Sequence, residues 1–265
     1  LVLFIYGQQQ RIHVDQLTEI GDREAFFYML ERLAARRQVF HVISVSLNKY
    51  KLVNNQFGQR SGDEFLRLAG GFFASLDTRA SAYRFSGVEF AIVVTKMCDS
   101  EYEETFSKIV DRFKEPWTID AQTVRLNAVF SDILYPEHAA NLDELIDALE
   151  YATRVAKSAV PQAPVRFDSV LRNEFGRRNF VINQMESALK EDRFFLYIQP
   201  VYDCEQKRFT GGEVLLRLNE SNGRPISPSE FIPIAIEYGI ATELGWMVLE
   251  KTCRFLSENR DTDVG

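Results

Sequence analysis

Cysteine, histidine and positive charge are all in short supply in this chain, and each shortage argues against something. Three cysteines occur in 265 residues: Cys98, Cys204 and Cys253, odd in number, far apart and without a CxxC pair. That argues against a disulfide framework or a thiolate zinc site and fits a reducing compartment, so a cytoplasmic location is expected. His13, His41 and His138 cluster neither with each other nor with cysteine, and read as ordinary strand or surface positions rather than metal ligands. Lys and Arg number 31 against 38 Asp and Glu, a net charge of −7. A broad nucleic-acid surface needs clustered cations, so nucleic acid is not an expected partner; a local basic pocket for a small phosphate ligand stays open. No apolar run is long enough to span a bilayer, and no secretory leader pattern is present. The opening LVLFI reads either as the end of a longer upstream segment, a membrane anchor included, or as a strand.

The length fits about two domains, and an apolar share of 46% with 26% charged residues is an ordinary globular balance. From Asp22 to Arg37, Ala25, Phe26, Phe27, Met29, Leu30, Leu33 and Ala34 recur at helical spacing. Val39–Leu47 is a β-branched run and predicts a strand. Leu66, Ala69, Phe73 and Leu76 mark a second helix. RFSGVEFAIVV, from Arg84, predicts two strands about a Ser86-Gly87 turn. Glu101–Lys114 predicts a helix closed by Pro116, Gln122–Leu134 a strand, and Leu142–Ala156 another helix. This order predicts an α/β (α+β) fold, a mixed sheet with helices packed on it and an antiparallel hairpin in its middle.

Ser158–Pro164 holds two prolines and no periodicity, which places a domain boundary nearby, with Val165–Asp168 closing the first domain as an edge strand. Beyond it, Arg177–Lys190 reads as a helix, and Phe194–Tyr202 and Phe209–Arg217 as strands. Ser227-Pro228-Ser229-Glu230 reads as a helix start, with Ser as N-cap, Pro at the first position and Glu three residues after the cap. Glu243–Ser257 is a last helix before a polar tail. This second part, with two strands whose edges would stay unpaired, looks incomplete and in need of a partner.

Several segments together resemble one family. DQLTEIGDREAF from Asp15, SLNKYKLVNNQFGQRSGDEFL from Ser46, RFSGVEF from Arg84 and the pair Ala156-Lys157 resemble, in order and spacing, the DxLTGLxNRxxF, DxDxFKxINDxxGHxxGD, RYGGDEF and Ala-Lys segments of GGDEF domains. FLYIQPVYD, GGEVLLRL and SPSEFIPIAIEYGIATELGWMVLEKTC resemble the opening third of an EAL domain. The resemblance implies a palm-like GGDEF domain with a mainly antiparallel central sheet over residues 15–168, after a linker or upstream end at 1–14. It implies the start of a TIM-barrel-type EAL domain over 169–265. It also implies cyclic-di-GMP signalling. GGDEF domains condense two GTP molecules held by the two subunits of a dimer, so a homodimer is expected; EAL domains hydrolyse the product with divalent metals.

The departures from the family pattern bear on the chemistry. Phosphoryl transfer of this kind needs Mg²⁺ held by carboxylates beside the triphosphate. The family's metal-binding aspartate falls on Ser46, and the degenerate signature reads Ser86, Gly87, Val88, Glu89, Phe90, with valine at its acidic third position. Cyclase activity is therefore expected to be absent. Two readings of Glu89 stay open: an active-site remnant, or a strand carboxylate paired with a nearby Arg or backbone N–H. Asn54 and Asp63 match residues that hydrogen-bond guanine and Lys157 one that reaches a phosphate, so GTP could bind without turnover. The alternative makes Asn54 a turn residue and Asp63 a helix-starting acid. The family's product-inhibition Arg-x-x-Asp falls on Asp77 and Ala80, so no product is expected there.

In the second part, Glu213 matches a metal ligand, and Gln199 and Arg217 match residues that contact the dinucleotide; the bland alternatives are a salt-bridged strand-end arginine and a satisfied amide. Mg²⁺ or Mn²⁺ is implied only for a complete EAL domain, since one glutamate does not hold two metals. Three readings follow: a regulatory module attached to an EAL domain, a phosphodiesterase in a longer protein, or an inactive receptor or scaffold.

Overall fold

A computed structural model describes residues 13–119 and 122–259. The LVLFI run, the linker reading over 1–12 and residues 260–265 of the tail lie outside the described residues. The chain divides into two compact units, Leu1–Arg172 and Asn173–Gly265.

The first unit is built as α1 (Arg23–Ala35), β1 (Phe40–Leu47), α2 (Tyr50–Phe57), α3 (Gln59–Ala74), β2 (Ala80–Ser86), β3 (Glu89–Thr95), α4 (Asp99–Lys114), β4 (Trp117–Ile119), β5 (Gln122–Val124), β6 (Ala128–Tyr135), α5 (Leu142–Ser158) and β7 (Val165–Arg166). Local chemistry sets several of these ends. Asp22 caps α1 by accepting from Ala25 N at 2.8 Å, and Asn141 caps α5 by accepting from Glu144 N at 2.9 Å. Gly58, at φ +83°, ends α2 and lets α3 begin at the next residue.

Five strands form one sheet in the order β2-β3-β1-β6-β7, antiparallel except for the parallel β6–β7 pair. β1 lies at its centre and is buried along nearly its whole length. Side chains alternate across a strand, so the sheet feeds two layers. On one face Ile43, Val45, Phe90 and Ile92 meet Phe65 and Phe73 of α3 and Phe106 and Ile109 of α4. The Phe73 ring lies 5.1 Å from Phe90 and 6.0 Å from Phe113, centroid to centroid. Fully burying such a side chain contributes about 1.5–3 kcal/mol. α5 packs against β6 and β1, and α1 against β2.

The expected mixed, mainly antiparallel sheet with flanking helices is the observed one, but the β2–β3 hairpin lies at its edge and β1 in its middle. Two elements differ from the sequence reading. α2 lies where apolar spacing predicts no element, between the strand over 39–47 and the helix marked by Leu66; its Asn54-Asn55 pair favours turns over helix interior. The expected single strand over 122–134 is two: β5 pairs with β4, whereas β6 pairs with β1. Between them Asn127 O accepts from Asn48 N at 2.8 Å, which ties the break to the end of β1.

The second unit takes up α6 (Ser169–Lys190), which begins just before the division, then β8 (Phe195–Asp203), β9 (Arg208–Asn219), β10 (Pro225–Ile226), α7 (Pro228–Tyr238) and α8 (Ala241–Glu258). Its strands form an antiparallel sheet in the order β10-β9-β8, without barrel closure among the described residues. Phe194, Leu218, Phe231 and Met185 are at its core, while Tyr197 and Phe209 remain 59% and 58% exposed. Ser227 does stand at the N-cap of α7 with Pro228 first, but makes no capping bond; its hydroxyl meets Ser229 Oγ at 2.7 Å, and Glu230 binds Arg177 instead.

Candidate functional site

The tip of the β2–β3 hairpin is held by one arginine. Arg84 Nη1 donates to Asp15 Oδ1 at 3.0 Å and Oδ2 at 3.2 Å, while its Nε and Nη2 donate to Gly87 O at 3.1 and 2.8 Å. Asp15 also accepts from Thr18 N and Oγ1, at 2.9 and 2.7 Å. Partial burial pushes the Asp15 carboxyl up, but the Thr18 hydrogen bonds and the Arg84 guanidinium outweigh it and hold the group below the ordinary carboxylate range. Asp15 and Arg84 open two of the motif segments, yet neither was singled out as a site residue. Sequence spacing gives no sign that residues so far apart meet.

Beside this clamp, Glu89 stands directly opposite Ser46 in the β1–β3 register. Its Oε1 accepts from Lys157 Nζ at 2.8 Å and from Ser46 Oγ at 3.3 Å, and its Oε2 from Ser86 Oγ at 2.9 Å. Burial pushes the Glu89 carboxyl up; the Lys157 hydrogen bond, Ser86, the Lys157 charge and Ser46 together overcome this and hold it below the usual glutamate range. Glu89 is thus a paired strand carboxylate, but its partners are a lysine and two serines rather than an arginine or a backbone N–H. Lys157 is spent on Glu89 rather than standing free for a phosphate. Val88 packs against the apolar core and its carbonyl accepts from Leu47 N at 3.0 Å. Phe90 is buried.

These groups do not suit a divalent cation. Ser46 offers a neutral hydroxyl, 1% exposed, where a carboxylate would be needed, and the single carboxylate of the tip already accepts three hydrogen bonds. Among the described residues no group of three or more His, Cys, Asp or Glu is placed to hold a metal ion. Below Glu89 a cleft of about 410 Å³ opens between β3 and α5, with Ser44, Ala91 and Thr153 inside and Glu150, Arg154 and Lys157 at its side.

Asn54 and Asp63 are not where the bland alternative put them: Asn54 lies within α2, and Asp63 is the fifth residue of α3 rather than a first-turn acid. Asn54 Oδ1 is buried without a hydrogen-bond partner. Burial and the nearby Asp63 charge push the Tyr50 phenol up, which marks Tyr50, Asn54 and Asp63 as one neighbourhood. Gly62 makes it fit, because a Cβ there would lie 1.9 Å from Asn54 Oδ1 and 2.6 Å from the Tyr50 hydroxyl. The product-inhibition position is occupied by internal pairs: Arg79 binds Asp77 at 2.9 Å and Glu101 at 3.1 Å.

In the second unit Gln199 pairs across from Glu213, Tyr197 from Leu215 and Phe195 from Arg217. Period-two alternation therefore puts Gln199, Glu213 and Arg217 on one face of the hairpin. Gln199 and Glu213 are exposed, and the Arg217 guanidinium lies 5.6 Å from the Tyr197 ring centre.

A nucleotidyl-cyclase-like palm followed by an opened α/β segment is the class that this fold defines. The family model for the diguanylate cyclase GGDEF domain matches residues 12–162, and that for the EAL domain matches 182–265. The chain belongs to the tandem GGDEF–EAL family. It is 27% identical over 253 residues to the signaling protein YkoW of Bacillus subtilis, covering 91% of this chain and 31% of that protein. The S helix–GGDEF–EAL structure of LapD from Vibrio cholerae, solved bound to c-di-GMP, superposes with a TM-score of 0.60 at 15% identity, covering 97% of this chain and 61% of that one. A GGDEF-only structure of PA1120 from Pseudomonas aeruginosa gives 0.56 at 22% identity, covering 62% of this chain and 99% of that one. At these identities the two structures establish fold alone. The chain spans about a third of the length of the curated relatives it matches. No helix among the described residues is long and apolar enough to cross a membrane.

Proposed function

We propose that this chain serves cyclic-di-GMP signalling through a GGDEF domain, residues 15–168, that makes no cyclic-di-GMP and instead regulates the EAL part, residues 169–265. One observation carries this reading. The sole carboxylate of the hairpin tip is bound to Lys157, Ser86 and Ser46, with a hydroxyl at the position where the family holds its metal. Cyclisation of GTP needs a cation to neutralise the triphosphate and activate the attacking hydroxyl, and this tip supplies one internal ammonium instead. Asn54 and Asp63, which share one neighbourhood with Tyr50, support GTP as a ligand that is bound without turnover. A homodimer in the cytoplasm, attached to a membrane through any upstream segment, completes the reading. The test is incubation with GTP and Mg²⁺ or Mn²⁺ followed by chromatography of the products. No cyclic-di-GMP is expected, and turnover at the rate of working relatives would overturn the proposal.

A second reading is favoured by Gln199, Glu213 and Arg217 sharing one hairpin face: the longer protein is a cyclic-di-GMP phosphodiesterase using Mg²⁺ or Mn²⁺. Arg217 suits a phosphate because its fork bonds two oxygens, and Glu213 suits a metal. Hydrolysis then requires ligands beyond this chain. If the longer protein binds cyclic-di-GMP but leaves it intact, the receptor reading stands in its place.

A further inference from the structure

α2 turns Asn54 toward Gly62, and its opposite side lines a second cleft, of about 480 Å³, whose far wall is the segment 123–127. Two cations, Lys49 and Arg125, stand in this cleft, and no acidic residue among the described ones lines it, in a chain of net charge −7. Neither cation has an ion-pair partner among the described residues. By contrast Arg79, Arg84, Lys157 and Arg166 each hold a carboxylate. α2 also opens without a side-chain cap, so its first N–H groups add positive potential at the Lys49 end.

Three primary amides, Asn48, Gln56 and Asn127, line the same cleft, each offering donors and an acceptor side by side. That pairing matches the edge of a heterocyclic base, as it does when Asn or Gln reads adenine. The floor is apolar: Leu126 is 3% exposed and Val124 5%. Cations for a phosphate, amides for a ring edge and an apolar floor for the ring face are the elements of a small-ligand pocket, and the volume is in the usual range.

We propose that this cleft binds a purine nucleoside monophosphate, with the phosphate between Lys49 and Arg125, the base read by the amides, and no metal ion. Its lining shares no residue with that of the cleft below Glu89, and the proposal goes beyond the function proposed above.

The test is titration of the 265-residue chain with GMP in the presence of EDTA, followed by amide ¹⁵N–¹H NMR and calorimetry. Saturable shifts are expected at residues 48–57 and 123–127. The Lys49→Ala/Arg125→Ala double variant should bind at least tenfold more weakly, whereas Arg36→Ala, a charge lost from an exposed site elsewhere, should bind as the parent does. Both cleft cations are exposed, so unchanged melting of the double variant separates lost binding from lost folding. Inorganic phosphate should bind at least tenfold more weakly than GMP. Shifts confined to residues 86–89 and 157, no saturation, undiminished binding by the double variant, or phosphate binding as well as GMP would each overturn the proposal.

Discussion

Lys157 Nζ lies 2.8 Å from Glu89 Oε1, so the chain's own ammonium stands beside the only carboxylate that the hairpin tip retains. A lysine near the end of α5 is thereby bound to a strand on the far side of the sequence.

This pair makes stability depend on pH in one direction. The folded Glu89 carboxyl titrates below its unfolded value, so its contribution is complete above the unfolded range, about 4.3, and is lost as pH falls through the lowered folded value. Glu89→Gln is expected to melt below the parent at neutral pH, with the gap closing on acidification. Thermal melts from neutral to acid pH check this, and a gap that does not change with pH would count against it.

The Arg84 clamp predicts a stability loss at the hairpin. Arg84→Ala removes charge-assisted bonds to Asp15 and Gly87 and is expected to cost about 1.5–3 kcal/mol. Arg84→Lys should recover little, because an ammonium cannot reproduce the planar fork. Urea unfolding of the three proteins would measure it, and full recovery by lysine would show that charge alone matters.

A Cβ at Gly62 would meet the ends of the Asn54 and Tyr50 side chains, which would have to move. Gly62→Ala is expected to lower the urea midpoint by an amount equivalent to about 1–3 kcal/mol. Adding Asn54→Ala removes the atom in the way, so the double variant should lose less than the sum of the two. Strict additivity would mean that the strain lies elsewhere.

Restoring a second carboxylate should create a cation site. Ser46→Asp sets an acid beside Glu89, where Ser46 Oγ is 3.3 Å from Oε1. Two carboxylates at that separation disfavour shared ionisation, so the variant should melt below the parent in EDTA. Millimolar Mg²⁺ or Mn²⁺ should raise its melting temperature and leave the parent's unchanged, by the mass action of a ligand that binds only the folded state.

Much of this fold is written in local patterns. The apolar spacing of α1 and α5, the β-branched run of β1 and the Ser-Gly pair of the hairpin each state their element directly. α2 escaped because Asn54-Asn55 carries turn chemistry, and its helix is held by packing on α3 rather than by propensity. The split at residues 125–127 escaped because alternation marks a strand without naming its neighbour. At the site, positions 46 and 88 were legible as missing acids from residue type alone. That Lys157 is bound to Glu89, and that Arg84 joins Asp15 to Gly87, depends on contacts between distant segments that spacing does not encode.

Arg84 braces the hairpin through Asp15 and a backbone carbonyl, groups that take no part in holding a cation. The loop can therefore change its chemistry while its silhouette persists.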